Sequence, residues 1–182
     1  GDFDHVDVGS RHACALDTSN QLHCWGEEGY GMPPQQSGDS NWVAVAPWGS
    51  CVIDASDQLR CWFEGFEDGS TLEPEGVFTK VATDGFTTCA IDTSEELQCW
   101  GADGRGQASP PPGRFTEVSA GHEYMCAIDA ADSIHCWGNN ESGAAAPPVG
   151  SFVQVDAGNA HTCAIDTDNQ VHCWGWLYTA WQ

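Results

Sequence analysis

The sequence predicts an all-β protein made from five copies of one short unit. Three observations support this prediction. A segment of the form C-x9-C recurs every 37 or 38 residues, a short strand-like apolar segment precedes each copy, and loops rich in Gly and Pro without helical periodicity follow the first four copies. We therefore predict a single domain over residues 1–182, with repeats at about 3–40, 41–76, 77–113, 114–150 and 151–182.

The first element of each repeat is a predicted strand that precedes the cysteine segment. These strands begin at Phe3, Trp42, Phe78, Phe115 and Phe152. Repeat two differs from the others, because Val45 lies six residues before Cys51, whereas eight residues separate the corresponding valine and cysteine elsewhere. We therefore expect repeat two to lack two residues between its first two strands.

The cysteine segment is a predicted hairpin, since its residues alternate on either side of a turn that carries Asp and Asn. A three-residue turn pairs residues whose numbers sum to 38 in repeat one, which sets Cys14 opposite Cys24 and Ala13 opposite Trp25. Both faces of the hairpin are apolar near its base and must be covered. We therefore predict a β-propeller of five short blades, each of about 37 residues and three to four strands, with an open superhelix of the same units as the alternative.

Cysteines that lie directly opposite on neighbouring strands have a separation compatible with a disulfide bond. The spacing predicts one hairpin disulfide in each repeat: Cys14–Cys24, Cys51–Cys61, Cys89–Cys99, Cys126–Cys136 and Cys163–Cys173. A metal site is the alternative, because His23, His135 and His172 directly precede a cysteine. Zinc sites prefer two to four residues between paired cysteines, so we expect structural disulfides and no metal ion.

One motif of repeat five, FVQVDAGNAHTCAIDTDNQVHCWG, resembles the bacterial, cysteine-containing form of the regulator of chromosome condensation repeat family. The resemblance covers all five repeats, from about Phe3 to Gly175. It implies a short-blade propeller fold. It does not imply the nucleotide-exchange or chromatin activity of the founding member, whose functional residues have no match here. Propellers of this family commonly have seven blades, whereas this chain has five repeats.

Binding residues are expected where the repeats depart from their common pattern. Repeat two carries Trp48 before its second strand and Phe63 where the other repeats have Gly, and Phe66 follows in a loop with five carboxylates. These aromatic side chains are suited to stack on a sugar or to bind a basic protein, with local packing as the alternative.

The C-terminal segment is the second departure. It alternates and is rich in aromatic residues, which predicts a strand. This strand either closes the ring against residues 3–8 or adds to a sheet of a neighbouring molecule, which would produce a filament. The candidate assembly residues are Trp176, Leu177, Tyr178 and Trp181.

Recurring polar residues have structural explanations. A histidine near the second strand of three repeats, at His12, His122 and His161, is expected to bond with the backbone. An aspartate begins every hairpin turn and is expected to cap it, although a ring of such carboxylates would also allow weak Ca²⁺ binding. The triplet that begins at Asn140 is a candidate N-glycosylation site in a surface loop.

Composition limits the partners. The 182 residues include 27 acidic and only 5 basic side chains, a formal charge of −22, which disfavours nucleic acid as a partner. No apolar run has the roughly 20 residues of a membrane helix, so we expect no membrane insertion. Ten cysteines in five predicted disulfides favour a secreted, extracellular or cell-surface protein.

These observations predict a non-enzymatic propeller without a cofactor and without catalytic residues. Its expected role is binding another extracellular protein, or assembling with itself into a homo-oligomer or filament. A lectin-like propeller that binds glycans is the alternative. An enzyme with active carboxylates in a central channel is a third hypothesis, for which the sequence assigns no residue pair.

Overall fold

The computed structural model describes residues 2–34, 38–64 and 74–176. Within these ranges the chain forms strands and no helix, so no helix is long and apolar enough to cross a membrane. The strands are β1 (Phe3–Val8), β2 (His12–Asp17), β3 (Leu22–Gly26), β4 (Ser40–Ala46), β5 (Gly49–Asp54), β6 (Leu59–Phe63), β7 (Phe78–Thr83), β8 (Thr87–Asp92), β9 (Leu97–Gly101), β10 (Phe115–Gly121), β11 (Tyr124–Asp129), β12 (Ile134–Gly138), β13 (Phe152–Ala157), β14 (His161–Asp166) and β15 (Val171–Gly175).

Consecutive strands form five antiparallel sheets of three, which are the five blades in chain order. The predicted all-β propeller fold is confirmed, and each described blade has three strands. The predicted hairpin register is also confirmed, with Cys14 opposite Cys24 and Ala13 opposite Trp25. All five predicted disulfides are present, and no cysteine is free.

The hairpin turns are held by the aspartate that precedes them, as the sequence predicts. In blade one, Oδ1 of Asp17 accepts hydrogen bonds from the backbone N–H groups of Ser19 and Gln21. The fourth turn residue, Asn20, has a φ of 63°, a left-handed conformation that Asn tolerates. The same arrangement recurs at Asp54, Asp92, Asp129 and Asp166.

The expected two-residue deletion in repeat two is wrong. Val43, not Val45, lies at the position of the first-strand valine, because Val43 pairs with Val52 just as Val6 pairs with Ala15. Every inner strand has a β-bulge after its first residue, but in blade two that first residue is Ser40 rather than phenylalanine, so the aromatic Trp42 two positions later indicates the wrong register in the sequence. Ser40 therefore occupies the position that Phe3 has in blade one, and Trp42 lies beyond the bulge.

The core consists of four apolar clusters, one at each contact between consecutive blades, which we call seams. At every seam the trailing face of one blade packs against the leading face of the next. Between blades four and five, for example, Cys126, Ile128 and Ile134 pack with Phe152 and Val155. Only side chains from two adjacent blades form each seam, as expected of a repeat protein.

The innermost strands of consecutive blades, β1, β4, β7, β10 and β13, lie side by side around a central channel. Within the described residues, β13 and β1 do not pack along each other as the consecutive inner strands do, and no apolar cluster joins blade five to blade one. The described blades therefore form an open arc. The tail proposed to close it, including Leu177, Tyr178 and Trp181, lies outside the described residues.

Candidate functional site at the channel and its mouth

The central channel is a cavity of about 930 Å³ lined by residues from all five inner strands. The position after the β-bulge carries a different side chain in each blade: His5, Trp42, Lys80, Glu117 and Gln154. Because these side chains vary while the strand geometry repeats, the channel wall is chemically mixed rather than a ring of one residue type.

Several of these side chains bond to the next blade. The His5 ring donates through Nε2 to the carbonyl oxygen of Val43 at 2.9 Å, and Trp42 Nε1 donates to Val81 O at 3.0 Å. Lys80 forms a salt bridge with Glu117. These groups hold neighbouring blades together, which explains their presence in the channel without a catalytic role.

Asp7 is a carboxylate in the channel wall whose carboxyl group is largely buried. Its two oxygens accept hydrogen bonds from the backbone N–H groups of Val45, at 2.7 Å, and Val8, at 2.8 Å. Burial raises the pKa of the Asp7 carboxyl above its ordinary value, although these bonds oppose the shift, and the charge of Asp156 adds to it. Both oxygens are thus engaged by backbone N–H groups, one of them from the next blade.

No group of three or more His, Cys, Asp or Glu side chains within the described ranges is arranged to hold a metal ion. The histidines that precede cysteines bond instead to the turn aspartates. The His23 ring donates to Asp17 Oδ2 at 2.8 Å, and this bond, together with the N–H of Gln21, holds the pKa of Asp17 below its ordinary value. His135 and His172 make the same contact in blades four and five.

The expected backbone bond of the second-strand histidine is wrong for His12. Its ring bonds across the seam to the Ser50 hydroxyl, and its Nδ1 is buried without a partner in the part of the chain that the structure describes. In blade four the corresponding residue is Tyr124, which bonds to Thr162 and to the carbonyl of His161. His122 lies outside this position, in the preceding turn.

One mouth of the channel is formed by the turns that join the first and second strand of each blade. Beside these turns lies an aromatic cluster, to which the loop between β3 and β4 contributes Tyr30. The Arg11 guanidinium stacks over the Tyr30 ring at 4.2 Å, lies 6.0 Å from the Trp48 ring, and bonds to Glu27 at 2.7 Å. Trp48 is 38% exposed, and Phe86, in the corresponding turn of blade three, is 58% exposed. We call Arg11, Tyr30, Trp48 and Phe86 the mouth cluster.

The structure separates the other predicted binding residues. Phe63 lies opposite Gly49 and packs against the cluster between blades two and three. Phe66 lies outside the described residues. Trp176 is exposed, and its backbone N–H donates to Ala160 O at 2.8 Å. Phe86 and Tyr30 were not predicted from the sequence, because an isolated aromatic residue in a loop gives no signal of its neighbours.

All five basic side chains already have an acidic partner. These ion pairs are Arg11–Glu27, Arg60–Asp54, Lys80–Glu117, Arg105 with Glu123 and Glu141, and Arg114–Glu95. The excess of 22 carboxylates over cations therefore gives the molecule a strongly negative field.

Asn140 is exposed in the loop between blades four and five, as expected of a glycosylation site. Its side-chain oxygen accepts a hydrogen bond from Ala145 N at 3.0 Å. Glycosylation itself stays a prediction.

These features define a β-propeller whose blades are each closed by a hairpin disulfide. The family model for the regulator of chromosome condensation (RCC1) repeat matches residues 3–31 and 152–176, in repeats one and five, which confirms the resemblance predicted from the sequence. Comparison with curated proteins finds no match.

Solved propellers are similar over nearly the whole chain. The CRINKLY WD40 ectodomain of the Arabidopsis thaliana receptor kinase ACR4 is 28% identical, with a TM-score of 0.76 over 98% of this chain and 65% of that one. The ectodomain of the Physcomitrella patens receptor kinase CR4 is 21% identical, with a TM-score of 0.80 over 96% and 52%. Saccharomyces cerevisiae Prp20p, described with its binding to Gsp1p and histones, is 14% identical, with a TM-score of 0.77 over 95% and 57%. The chain spans less than two thirds of each of these proteins.

Proposed function

We propose that this chain is an extracellular, non-enzymatic propeller that binds a protein partner through the mouth cluster. The exposed aromatic side chains of Trp48 and Phe86 carry the proposal, because they occupy the equivalent turn position of blades two and three, where the other blades have no aromatic residue. Aromatic and arginine side chains supply much of the binding energy at protein interfaces. The propeller fold alone would not select this function.

An extracellular location is supported by the cysteine chemistry. All ten cysteines are in disulfides, which persist in oxidising compartments. Two of the similar solved structures are receptor-kinase ectodomains, which agrees with this assignment.

The charge distribution favours a basic partner. Every basic side chain is already paired with a carboxylate, so an acidic protein would meet repulsion without a compensating cation. A lysine or arginine of the partner would find both carboxylates and the exposed faces of Trp48 and Phe86, which attract cations.

The test is binding of fluorescent peptides graded in net positive charge, measured by anisotropy at low and high salt. We expect basic peptides to bind, the affinity to fall with salt, and Trp48→Ala to weaken binding on the order of tenfold. Trp25→Ala is the matched control, since Trp25 is an exposed tryptophan on blade one outside the mouth cluster. Equal loss in both variants, or no binding of basic peptides, would contradict the proposal.

The same preparation tests the other predicted functions. Binding to a glycan array that depends on Trp48 would favour the lectin alternative. Comparing the full chain with a chain that ends at Gly175 tests assembly through the terminal segment. Weak Ca²⁺ binding also stays a prediction, which calcium titration would test.

A further inference from the structure

One position in the turns at the channel mouth is held in the same way in every blade. The backbone carbonyl of the residue at this position accepts a hydrogen bond from the N–H of the residue that follows the third strand. The residues at this position are, in chain order, Arg11, Trp48, Phe86, Glu123 and Ala160. Because the backbone bond is common to all five blades, the side chain alone decides what each blade presents at the mouth.

The residue that donates this hydrogen bond is a glutamate in blades one and two. Glu27 donates to Arg11 O at 3.0 Å, and Glu64 donates to Trp48 O at 2.9 Å. The corresponding residues of the other three blades are Ala102, Asn139 and Trp176. Blades one and two therefore place two carboxylates next to the mouth cluster, whereas the other blades place none at this position.

The Arg11 guanidinium occupies a cation site that the aromatic rings and these carboxylates form. Its Cζ atom lies 4.2 Å from the centroid of the Tyr30 ring and 6.0 Å from that of the Trp48 ring. Its Nη1 atom donates to Oε2 of Glu27 at 2.7 Å. This bond raises the pKa of Arg11 above its ordinary value, and the charge of Glu64 adds to the shift. Aromatic faces and carboxylates are the two kinds of group that bind a guanidinium.

The side chain of Arg11 is weakly held in this site. The side chains of Arg11 and Glu27 are 40% and 60% exposed, and exposed ion pairs and cation–π contacts each contribute little. The backbone is fixed independently, because the next residue, His12, pairs with Gly26 and the seam between blades one and two is packed. Rotation of the Arg11 side chain therefore empties the site without moving a strand.

We propose that this site binds an arginine side chain of the partner, and that Arg11 is an intramolecular occupant that has to rotate out first. The inference rests on the proposed function, which places a basic partner at the mouth cluster, and it names the residue type that is recognised. Within the described residues Glu64 forms no ion pair, since every basic side chain pairs with another carboxylate. Glu64 therefore supplies a second carboxylate for the incoming cation.

The geometry favours arginine over lysine. A guanidinium is planar, so it can stack on an aromatic ring while its N–H groups bond to a carboxylate, and the Arg11 guanidinium already makes this combination with Tyr30 and Glu27. A lysine ammonium is a compact, strongly hydrated charge without a flat face to stack. A partner lysine should consequently displace Arg11 less effectively than a partner arginine.

Fluorescence anisotropy with two peptides of equal length and charge, one containing arginine and the other lysine, provides the test. Arg11→Ala should bind the arginine peptide about three- to tenfold more tightly than the wild type, because the internal occupant no longer competes. The gain for the lysine peptide should be smaller. Arg114→Ala is the matched control, since it removes the same charge from an exposed pair with Glu95 in a hairpin turn, and it should change either affinity by less than about twofold.

A double variant separates stacking from charge. Tyr30→Leu removes the ring on which the two guanidinium groups compete to stack, so Arg11→Ala should bring no gain in the Tyr30→Leu background. A gain that persists there would reflect only the loss of a nearby positive charge and would overturn the proposal. Far-ultraviolet circular dichroism verifies that each variant is folded, which is expected for Arg11→Ala because the Arg11 side chain is exposed.

The outcomes distinguish this inference from the proposed function. If basic peptides bind, but Arg11→Ala binds the arginine peptide no more tightly than the wild type, the inference fails and the proposed function stands. An equal gain for the lysine peptide, or for Arg114→Ala, is likewise contrary to the inference.

If no peptide binds any variant, the proposed function fails, and N-acetylarginine methylamide then probes the site alone. The indole N–H resonance of Trp48, assigned with Trp48→Phe, reports its binding in nuclear magnetic resonance spectra. A shift in Arg11→Ala that exceeds the shift in the wild type supports an arginine site at the mouth. The absence of a shift in both proteins overturns it.

Discussion

Blades four and five have nearly the same hairpin sequence, CAIDAADSIHCWG and CAIDTDNQVHCWG, but they are buried to very different extents. Ile128 and Ile134 of blade four are buried, whereas Ile165 is half-buried and Val171 is exposed. The two hairpins have the same register, disulfide and turn. The difference therefore comes from the neighbour: blade five covers the trailing face of blade four, and nothing in the described residues covers that of blade five.

The largest effect should come from a matched pair of isoleucines. Ile128→Ala should lower the free energy of unfolding by about 2–5 kcal/mol, because it leaves a cavity in the seam between blades four and five. Ile165→Ala should cost about 1 kcal/mol, since partly exposed atoms lose less transfer free energy. Urea denaturation of dilute protein measures both. Equal costs would show that the trailing face of blade five is covered in solution.

The disulfides provide the second test. Each closes a loop of about ten residues, so removing one should cost roughly 2–3 kcal/mol in the chain-entropy model. Reductant should reach Cys163–Cys173 before Cys126–Cys136, because only the former lies on an uncovered face. Timed alkylation followed by mass spectrometry gives the order of reduction. Simultaneous loss of both bonds would contradict the comparison between the two blades.

Glycines at one repeat position give a third, smaller contrast. A Cβ at Gly121 would lie 2.1 Å from the Tyr124 ring and 2.7 Å from Gly158 O, so Gly121→Ala should cost about 1–3 kcal/mol through overpacking. A Cβ at Gly158 would lie 3.0 Å from the flexible His161 ring and 3.3 Å from His161 O, so Gly158→Ala should cost less than Gly121→Ala, about 1 kcal/mol. Thermal unfolding of the two variants compares them, and a larger loss for Gly158→Ala would be the contrary result.

The features that the sequence predicts correctly are local. Cys14 and Cys24 lie on one hairpin, and Asp17 fixes its turn, so the segment between the two cysteines contains the register, the disulfide and the turn chemistry. Repetition then extends the result to all five blades. Each of these features depends on contacts close in the chain, which strand alternation and turn chemistry describe.

The features that the sequence does not predict depend on neighbouring blades. Ser40 stands where the other inner strands begin with phenylalanine, and the aromatic Trp42 two residues later shifts the apparent position of the first-strand valine, whereas the β-bulge is common to all five blades. Closure of the ring depends on the angle between blades. Many side-chain contacts together determine that angle. In the mouth cluster Tyr30 and Trp48 come from separate loops of blades one and two, so their rings become neighbours only in the folded arc.

The smallest predicted effect is a pH dependence of stability. It concerns two seams that have a polar side chain at the same position of the second strand. His12 bonds to Ser50 between blades one and two, where blade four uses Tyr124 to bond to Thr162. Burial lowers the pKa of His12 below its ordinary value of 6.5. The unfolded chain consequently binds more protons than the folded chain below about pH 6.5, so stability is complete above that pH and decreases as the pH falls towards the folded pKa.

His12→Tyr should remove this part of the pH dependence, because tyrosine makes the equivalent bond in blade four and stays uncharged over this range. Each unit by which the pKa is lowered corresponds to about 1.4 kcal/mol of stability lost on acidification. Urea denaturation of the wild type and the variant between about pH 5 and pH 8 measures the slope. His161→Tyr, at the exposed equivalent position of blade five, is the matched control and should leave the slope unchanged. If the His12 variant keeps the wild-type slope, or the His161 variant loses it, protonation at the buried seam is not what weakens the arc in acid.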